Sequence, residues 1–403
     1  MKKSTMHFKT VLTIIISSVI TFSITMLWLY GSTNKTKISK NPLTEVVKND
    51  KMSTKLEMIN SKIKSEYFGE VDEEKLSEYA LKGYVLGLGD PYSEYFSYDE
   101  MQDFTEDTLG NYVGIGVYIT KDDEQKELII YDTVKNSPAQ QAGLKSGDII
   151  RKVDDKDYTV EDFDTIASEI KGKEGTKVKL VIERDGEEKS FEIERKSVEL
   201  IRVTSQMLED NIGYIYMSTF DGNVAEQIRK EYKDLKSKGA TSLIIDIRNN
   251  GGGLVEEAVE IGDMLTDKGT TLLIQKDNKD KEKTYTSEKA KEIDMNFVLL
   301  TNNYSASASE ILSAIVKEKV SNGKVVGMTT YGKGVIQTLY TLADGSGLKL
   351  TTDEYFTPNH ETINKKGITP DYVVEGTFDS KELDVNNDKQ LQKAIEVLKN
   401  DLK

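Results

Sequence analysis

Two side chains carry the chemistry to be weighed first. Ser307 lies in the run Ser-Ala-Ser-Ala-Ser-Glu (residues 305–310), and Lys333 stands between Gly332 and Gly334. A serine hydroxyl attacks a carbonyl only when a base takes its proton. The chain offers few bases, with two histidines, His7 and His360, and no cysteine. His7 precedes an apolar segment and His360 lies in the turn-like run Thr-Pro-Asn-His-Glu-Thr, so a Ser-His-Asp triad has no well-placed imidazole. The same counts exclude disulfides, a thiolate nucleophile and a zinc site built on histidine or cysteine. Lysine remains. As a base near neutrality Lys333 needs its pKa brought from ~10.4 towards ~7–8, by burial among neighbours such as Tyr331 and Val335.

Each residue has a structural alternative. Ser307-Ala308-Ser309-Glu310 is also a capping box, with serine at the cap and glutamate three residues on. A lysine between glycines is also an ordinary turn lysine in water. The excess of small residues distinguishes the serine run, because a plain cap needs one hydroxyl and this one leaves space beside the helix start. Ser305 and Ser309 are then available to serve the backbone. A third element is Arg-Asn-Asn-Gly-Gly-Gly (residues 248–253), after the apolar run Leu-Ile-Ile-Asp-Ile. Its N–H groups, with that of Ala308, suit an oxyanion hole; a phosphate cradle and a plain turn are the alternatives. A Walker loop wants Gly-Lys-Ser/Thr after its glycines, and Leu254 follows instead. The penicillin-binding pattern is met only by scattered fragments, Ser32 to Lys35, Ser61 to Lys64 and Lys145 to Gly147, which belong to other elements.

The elements that must position these residues are readable as patterns. After residue 198 near-continuous apolar strands alternate with helices, which predicts an α/β core over 198–376, a mostly parallel β-sheet with flanking helices. Ser307 falls where a strand ends and a helix begins, the place where such sheets bind ligands and where the helix dipole favours negative charge. Residues 377–403 read as a C-terminal helical tail. Residues 111–197 form a β-rich unit ending in a hairpin turned at Asp185-Gly186, with Ser137-Pro138 opening a short helix. Residues 45–110 repeat apolar positions at three- and four-residue spacing, a helical N-terminal cap, until a Gly-Asp-Pro turn breaks the pattern.

Residues 11–30 carry no charge and are long enough to cross a bilayer. Lys2, Lys3 and Lys9 precede them and no small-x-small cleavage site follows Tyr30. The expectation is a cytoplasmic N-terminus (1–9), one transmembrane anchor (10–30) rather than a cleaved signal peptide, a polar tether (31–44), and a catalytic body outside the cytoplasm. A net charge of -15 argues against a nucleic-acid partner.

Several stretches carry a family resemblance. Residues 111–197 resemble a PDZ domain of the bacterial, circularly permuted form, on Gly-Ile-Gly-Val (114–117) and Ser-Pro-Ala-Gln-Gln-Ala-Gly-Leu-Lys-Ser-Gly-Asp-Ile-Ile (137–150). With Gly-Asp-Pro-Tyr-Ser-Glu-Tyr-Phe (89–96), the glycine turn, the serine run, Tyr-Gly-Lys-Gly-Val-Ile-Gln (331–337) and the closing segment 355–371, the chain from about residue 45 to 374 resembles the carboxy-terminal processing peptidases, or tail-specific proteases. The resemblance implies Ser307 as nucleophile, Lys333 as general base and Gln337 as the polar residue supporting the lysine. It further implies Gly252 with Ala308 at the oxyanion, Glu310 in support, and Gly114, Ile115, Gly116 and Val117 as the loop that takes a peptide carboxylate. It implies no cofactor or metal. Its partners would be protein substrates with free, apolar C-termini and, through the terminal helices, further copies of the chain. Two departures from the family stand out: many members have proline where Gly251 stands, and the serine-to-lysine segment is one residue longer than usual. A non-catalytic PDZ scaffold at the membrane is the competing class.

Overall fold

The computed structural model describes residues 50–122, 124, 126–159, 163–378 and 383–400. The expected anchor and tether lie outside the described residues. Among the described residues no helix is long and apolar enough to cross a membrane. The chain divides into an N-terminal unit ending at Ser77 and a second unit, Glu78–Lys403. The first contains helix α1 (Asp50–Glu66), carrying a Lys62–Glu66 pair one turn apart, and an ion pair of 2.7 Å between Lys64 and Glu73. Helix α2 (Glu73–Leu86) starts with Glu73 and Glu74, which suit the positive end of its dipole.

The segment read as a cap is not helical throughout. After the Gly-Asp-Pro turn it forms strand β1 (Glu94–Phe96) and helix α3 (Tyr98–Leu109). Ser97 and Glu100 close a reciprocal capping box at the start of α3, and Gly110 ends it in the left-handed region at φ 70. Strand β2 (Asn111–Gly114) then leads into the PDZ-like unit of β3 (Val117–Asp122), β4 (Glu127–Thr133), α4 (Pro138–Ala142), β5 (Ile149–Val153), β6 (Lys156–Asp157), α5 (Phe163–Ile170), β7 (Lys177–Arg184) and β8 (Glu187–Glu194). Its sheet runs β3-β4-β5-β7-β8 with β6 on β5, over a core that includes wholly buried Leu128, Ile130, Ile166, Leu180 and Ile182. Ser137 caps α4 with proline at its first turn, as the sequence predicts. Strand β9 (Lys196–Glu199) pairs antiparallel with β2, so entry to and exit from this unit form one two-stranded stem.

Beyond the stem come β10 (Val203–Met207), β11 (Ile212–Met217), α6 (Val224–Ser237), β12 (Ser242–Asp246), α7 (Val255–Leu265), β13 (Thr271–Asp277) and β14 (Glu282–Thr286). They are followed by β15 (Asn296–Thr301), α8 (Ala308–Lys319), β16 (Gly323–Gly327), β17 (Val335–Thr341), β18 (Gly347–Phe356), β19 (Tyr372–Val373) and α9 (Lys389–Asn400). A six-stranded sheet, β10-β11-β12-β15-β16-β19, is parallel except for edge strand β10. Leu243 and Ile245 of β12 face a core shared with α6, α7 and α8, while Ile244 faces α9. Burial on both faces is why these strands read as unbroken apolar runs.

The expectation of one mostly parallel sheet needs correcting. β1, β13, β14, β17 and β18 build a second, wholly antiparallel sheet, and β17–β18 is a hairpin. The short link Leu-Ala-Asp-Gly-Ser (342–346) forces that arrangement, since five residues cannot cross over to a parallel partner. Strand β1 comes from the segment expected to be a helical cap, and it ties that segment to the hairpin behind Lys333.

Candidate active site

Ser307 is the cap residue of α8, reached by a tight loop from the end of β15. Its backbone sits at φ 56, ψ -115, a conformation costing a non-glycine residue about 1–3 kcal/mol unless its surroundings hold it there. Those surroundings are visible. Asn250, wholly buried in the glycine turn, donates from Nδ2 to the Met217 carbonyl at 3.0 Å; its own carbonyl accepts from the Ala306 N–H at 3.1 Å. Ser305 Oγ donates to the Ile247 carbonyl and Ser309 Oγ to the Asn250 carbonyl, each at 2.8 Å. Two of the three serines are therefore spent on the backbone of the turn. From Ser305 to Val316 every residue is buried except Ser307.

The capping reading accounts for only part of Ser307. The Glu310 N–H faces the serine as a capping box requires, but the hydrogen bond it makes is to the Ser307 carbonyl, at 2.8 Å. The Glu310 side chain, wholly buried, does more than cap. One carboxylate oxygen accepts from the N–H groups of Ser307 at 2.9 Å and Lys333 at 2.8 Å. The other accepts from the Gly332 N–H at 2.7 Å and the Thr330 hydroxyl at 2.6 Å. A single carboxylate thus joins the serine loop to the lysine loop.

Ser307, Lys333 and Gln337 line one cleft of about 620 Å³, together with Tyr92, Gly251 and Lys349. The Lys333 ammonium lies 4.6 Å from the centroid of the Tyr92 ring. Burial holds its pKa below the ordinary lysine value and the nearby Lys349 charge adds to this, while Asp90 and Glu310 oppose it. Gln337 gives its side-chain N–H to Thr351 Oγ1 at 3.1 Å, bracing β17 against β18 rather than bonding to the lysine. Asp90, Tyr92 and Lys349 were not singled out as site residues from the sequence. The available signal was the aromatic-rich Gly-Asp-Pro-Tyr turn, which is too elaborate for a simple break between helices.

Lys349 is itself held, by Glu94 at 2.9 Å and over the rings of Phe96 and Phe104. Its cation disfavours a second one on Lys333. Lys349→Met is therefore expected to raise the Lys333 pKa and move the acid limb of the kcat/KM–pH profile to higher pH, with the plateau kept. Asp90→Asn should move it to lower pH. Limbs that stay put, or shift together, would rule out this electrostatic account.

In the glycine turn the three glycines differ. Gly251 has open space where a Cβ would project and no left-handed backbone, so a side chain can start there without a clash. Gly252, at φ 105, would place a Cβ 2.7 Å from the Ala306 carbonyl oxygen and 2.8 Å from Ser307 Cβ, so only glycine lets the turn lie against the serine. Its N–H is given to Asn250 Oδ1 at 2.9 Å. As an oxyanion donor Gly252 must first exchange that bond. Ala308 opens α8 immediately beyond Ser307 and is wholly buried.

The predicted carboxylate loop borders a second cavity, of about 480 Å³, lined by Ile115, Gly116, Val117, Ile119, Tyr112 and, from α3, Glu106. Gly114 does not line it; the Tyr112 ring packs so closely there that a Cβ would fall 2.7 Å from it. Burial pushes the Tyr112 hydroxyl up to about 12, partly offset by the Lys171 charge. Lys171 in turn bonds Asp103 at 3.0 Å and Glu106 at 2.8 Å. Ile115 is wholly buried in the domain core, so of the four loop residues it contributes backbone rather than an exposed side chain.

An α/β sheet with a serine at the head of a helix, a half-buried lysine in the same cleft and a PDZ-like unit on a stem define a class of PDZ-bearing serine peptidase. Comparison with known proteins shows what the chain is similar to. Residues 211–374 match Peptidase family S41, residues 129–184 a PDZ domain, and residues 14–100 the activating protease CtpB N-terminal domain. A probable CtpA-like serine protease of Staphylococcus haemolyticus is 37% identical over 319 residues, covering 79% of this chain and 64% of that protein. One of Staphylococcus aureus is 35% identical over 323 residues, covering 80% and 64%. The chain thus spans 64% of the length of these relatives. Among solved structures, the photosystem II D1 C-terminal processing protease is 26% identical, covering 86% of this chain and 91% of that one with a TM-score of 0.45. Residues 211–374 thus match Peptidase family S41, and the chain as a whole is similar to CtpA-like serine proteases.

Proposed function

We propose that this protein is a serine endopeptidase working through a Ser307/Lys333 dyad on proteins presented by their C-termini. The carrying observation is that, of three clustered serines, Ser305 and Ser309 donate their hydroxyls to backbone carbonyls, whereas Ser307, whose Oγ only faces the Glu310 N–H, opens on the cleft that holds Lys333. Neutral Lys333 takes the Ser307 proton as Oγ bonds to the scissile carbonyl carbon. The resulting oxyanion meets the N-terminus of α8 at Ala308, and Gly252 joins it by exchanging its bond to Asn250. Collapse expels the amine, which leaves with the proton carried by Lys333, and an acyl-enzyme remains. Water, deprotonated by the same lysine, releases the new C-terminus.

The PDZ domain takes an apolar C-terminal residue in its cavity, with the carboxylate on the Gly114–Val117 loop, and thereby gates the cleft. Residues 10–30 tether the body to the membrane, on its extracytoplasmic side, where copies of the chain associate. The test uses the full chain in membranes or detergent with unfolded proteins ending in apolar residues. Ser307→Ala is expected to bind such tails normally and leave them uncut, with turnover down by on the order of 10⁴-fold or more. Undiminished cleavage by Ser307→Ala would exclude the mechanism, and tail binding without turnover in the unmodified protein would favour a scaffold.

A further inference from the structure

The dyad's two residues come from separate loops, so something must fix their separation. Glu310 does this from the N–H side. The carbonyl side is held by a residue that the mechanism above does not use. Tyr355, in β18, is wholly buried in the peptidase core. Its hydroxyl bonds the carbonyl oxygen of Ser307 at 3.1 Å and also that of Lys333. Its backbone N–H donates to the Gly334 carbonyl at 3.0 Å, which pins the residue after the lysine to the same strand.

We propose that the Tyr355 hydroxyl is the positioning group that fixes Ser307 and Lys333 relative to one another, by holding the backbone carbonyl of each. The inference rests on the dyad reading. One phenolic proton is shared between two acceptors whose residues must stay in register, and complete burial pushes the phenol's pKa well above its ordinary value. The group therefore stays protonated, and a donor, beyond the pH at which an exposed tyrosine ionises. Its counterpart Glu310 accepts from the N–H groups of the same two residues. Each dyad residue is thus held at both backbone polar groups by side chains that cannot reach water. Ser307 needs this more than most residues, since its φ and ψ persist only where the surroundings over-determine them. Tyr355 touches neither substrate nor reacting atoms; it acts through the two that do.

The experiment is Tyr355→Phe in the full chain, with Ser307→Ala and Tyr232→Phe beside it. Tyr232 is a second buried core tyrosine, its hydroxyl bonded to Asp294 at 2.7 Å, so its variant loses the same atom away from the dyad. Rates are taken at low temperature and normalised to the folded fraction from circular dichroism, so lost stability does not count as lost catalysis. Tyr355→Phe should lower kcat ~10- to 100-fold at unchanged KM, the scale of a small misplacement of reacting groups. It should also slow acylation of Ser307 by a fluorophosphonate. With its carbonyl released Lys333 gains water, so its pKa rises and the acid limb moves to higher pH. Tyr232→Phe should move none of these. A Tyr355→Phe enzyme within two-fold of the parent with an unmoved limb overturns the inference, as does a loss matched by Tyr232→Phe. Activity in Ser307→Ala would instead overturn the dyad reading beneath it.

Discussion

Lys333→Arg is expected to lower kcat/KM by on the order of 10⁴-fold while the protein stays folded and still binds apolar C-termini. The substitution keeps a long basic side chain able to lie over the Tyr92 ring and removes the capacity to become neutral. A guanidinium does not give up its proton in a protein, so in the proposed mechanism it cannot accept the proton of Ser307. The wild-type side chain is prepared for the neutral form: burial and the Lys349 cation depress its pKa, and no hydrogen bond to a carboxylate restores the charge. Depression of a lysine pKa enlarges the neutral fraction, so the rate should rise with pH through that lowered value and level off above it. In the arginine variant that limb should vanish with the activity. Retention of more than a tenth of the parental kcat/KM would mean that another group, or water alone, takes the proton. Fluorophosphonate labelling of Ser307 checks the same step without substrate and should fall in parallel.

Much of this site is legible in the sequence because its parts are local. The serine run, the Gly-Lys-Gly loop and the glycine turn are short stretches whose composition is unusual for caps and turns, and each lies at a strand end. The roles of Ser305 and Ser309 as backbone donors also follow from the surplus of hydroxyls. Partners that meet through tertiary structure leave a weaker trace. Tyr355 lies 22 residues beyond Lys333 and 48 beyond Ser307, and on a strand it reads simply as core. Asp90 and Tyr92 approach Lys333 because β1 pairs with β18, an antiparallel register that nothing in the local pattern of residues 89–96 specifies. The second sheet was missed for a related reason. Strand periodicity reports burial, and partner direction was carried by the Asp344-Gly345 link rather than by the strands.

Arg248→Ala is expected to cost roughly 3–5 kcal/mol of stability. Arg248 and Asp246 are both wholly buried, and Arg248 Nη2 bonds Asp246 Oδ2 at 2.6 Å. Arg248 also reaches Asp388 at 2.7 Å and Gln390 at 3.0 Å, and its guanidinium stacks 3.9 Å from the Phe378 ring. Asp388 accepts from the N–H groups of Gln390 and Leu391, so Arg248 ties the start of α9 to the end of β12, directly before the turn that holds Ser307. Removing the guanidinium strands the Asp246 carboxylate in the interior, with only Tyr214 and a backbone N–H to satisfy it. That uncompensated charge, more than the lost attraction, sets the magnitude. Arg248→Met combined with Asp246→Leu should recover most of the loss, because an apolar pair of similar volume leaves no charge at the fully buried position, while Asp388 keeps the N–H groups of Gln390 and Leu391. Arg248→Lys should not, since an ammonium cannot span the same partners. Urea unfolding gives the loss as the midpoint shift multiplied by the m-value, and hydrogen exchange should report earliest opening in α9. A midpoint shift worth less than about 1 kcal/mol, or a double variant as unstable as the single, would mean that the tail helix is held by its apolar face alone.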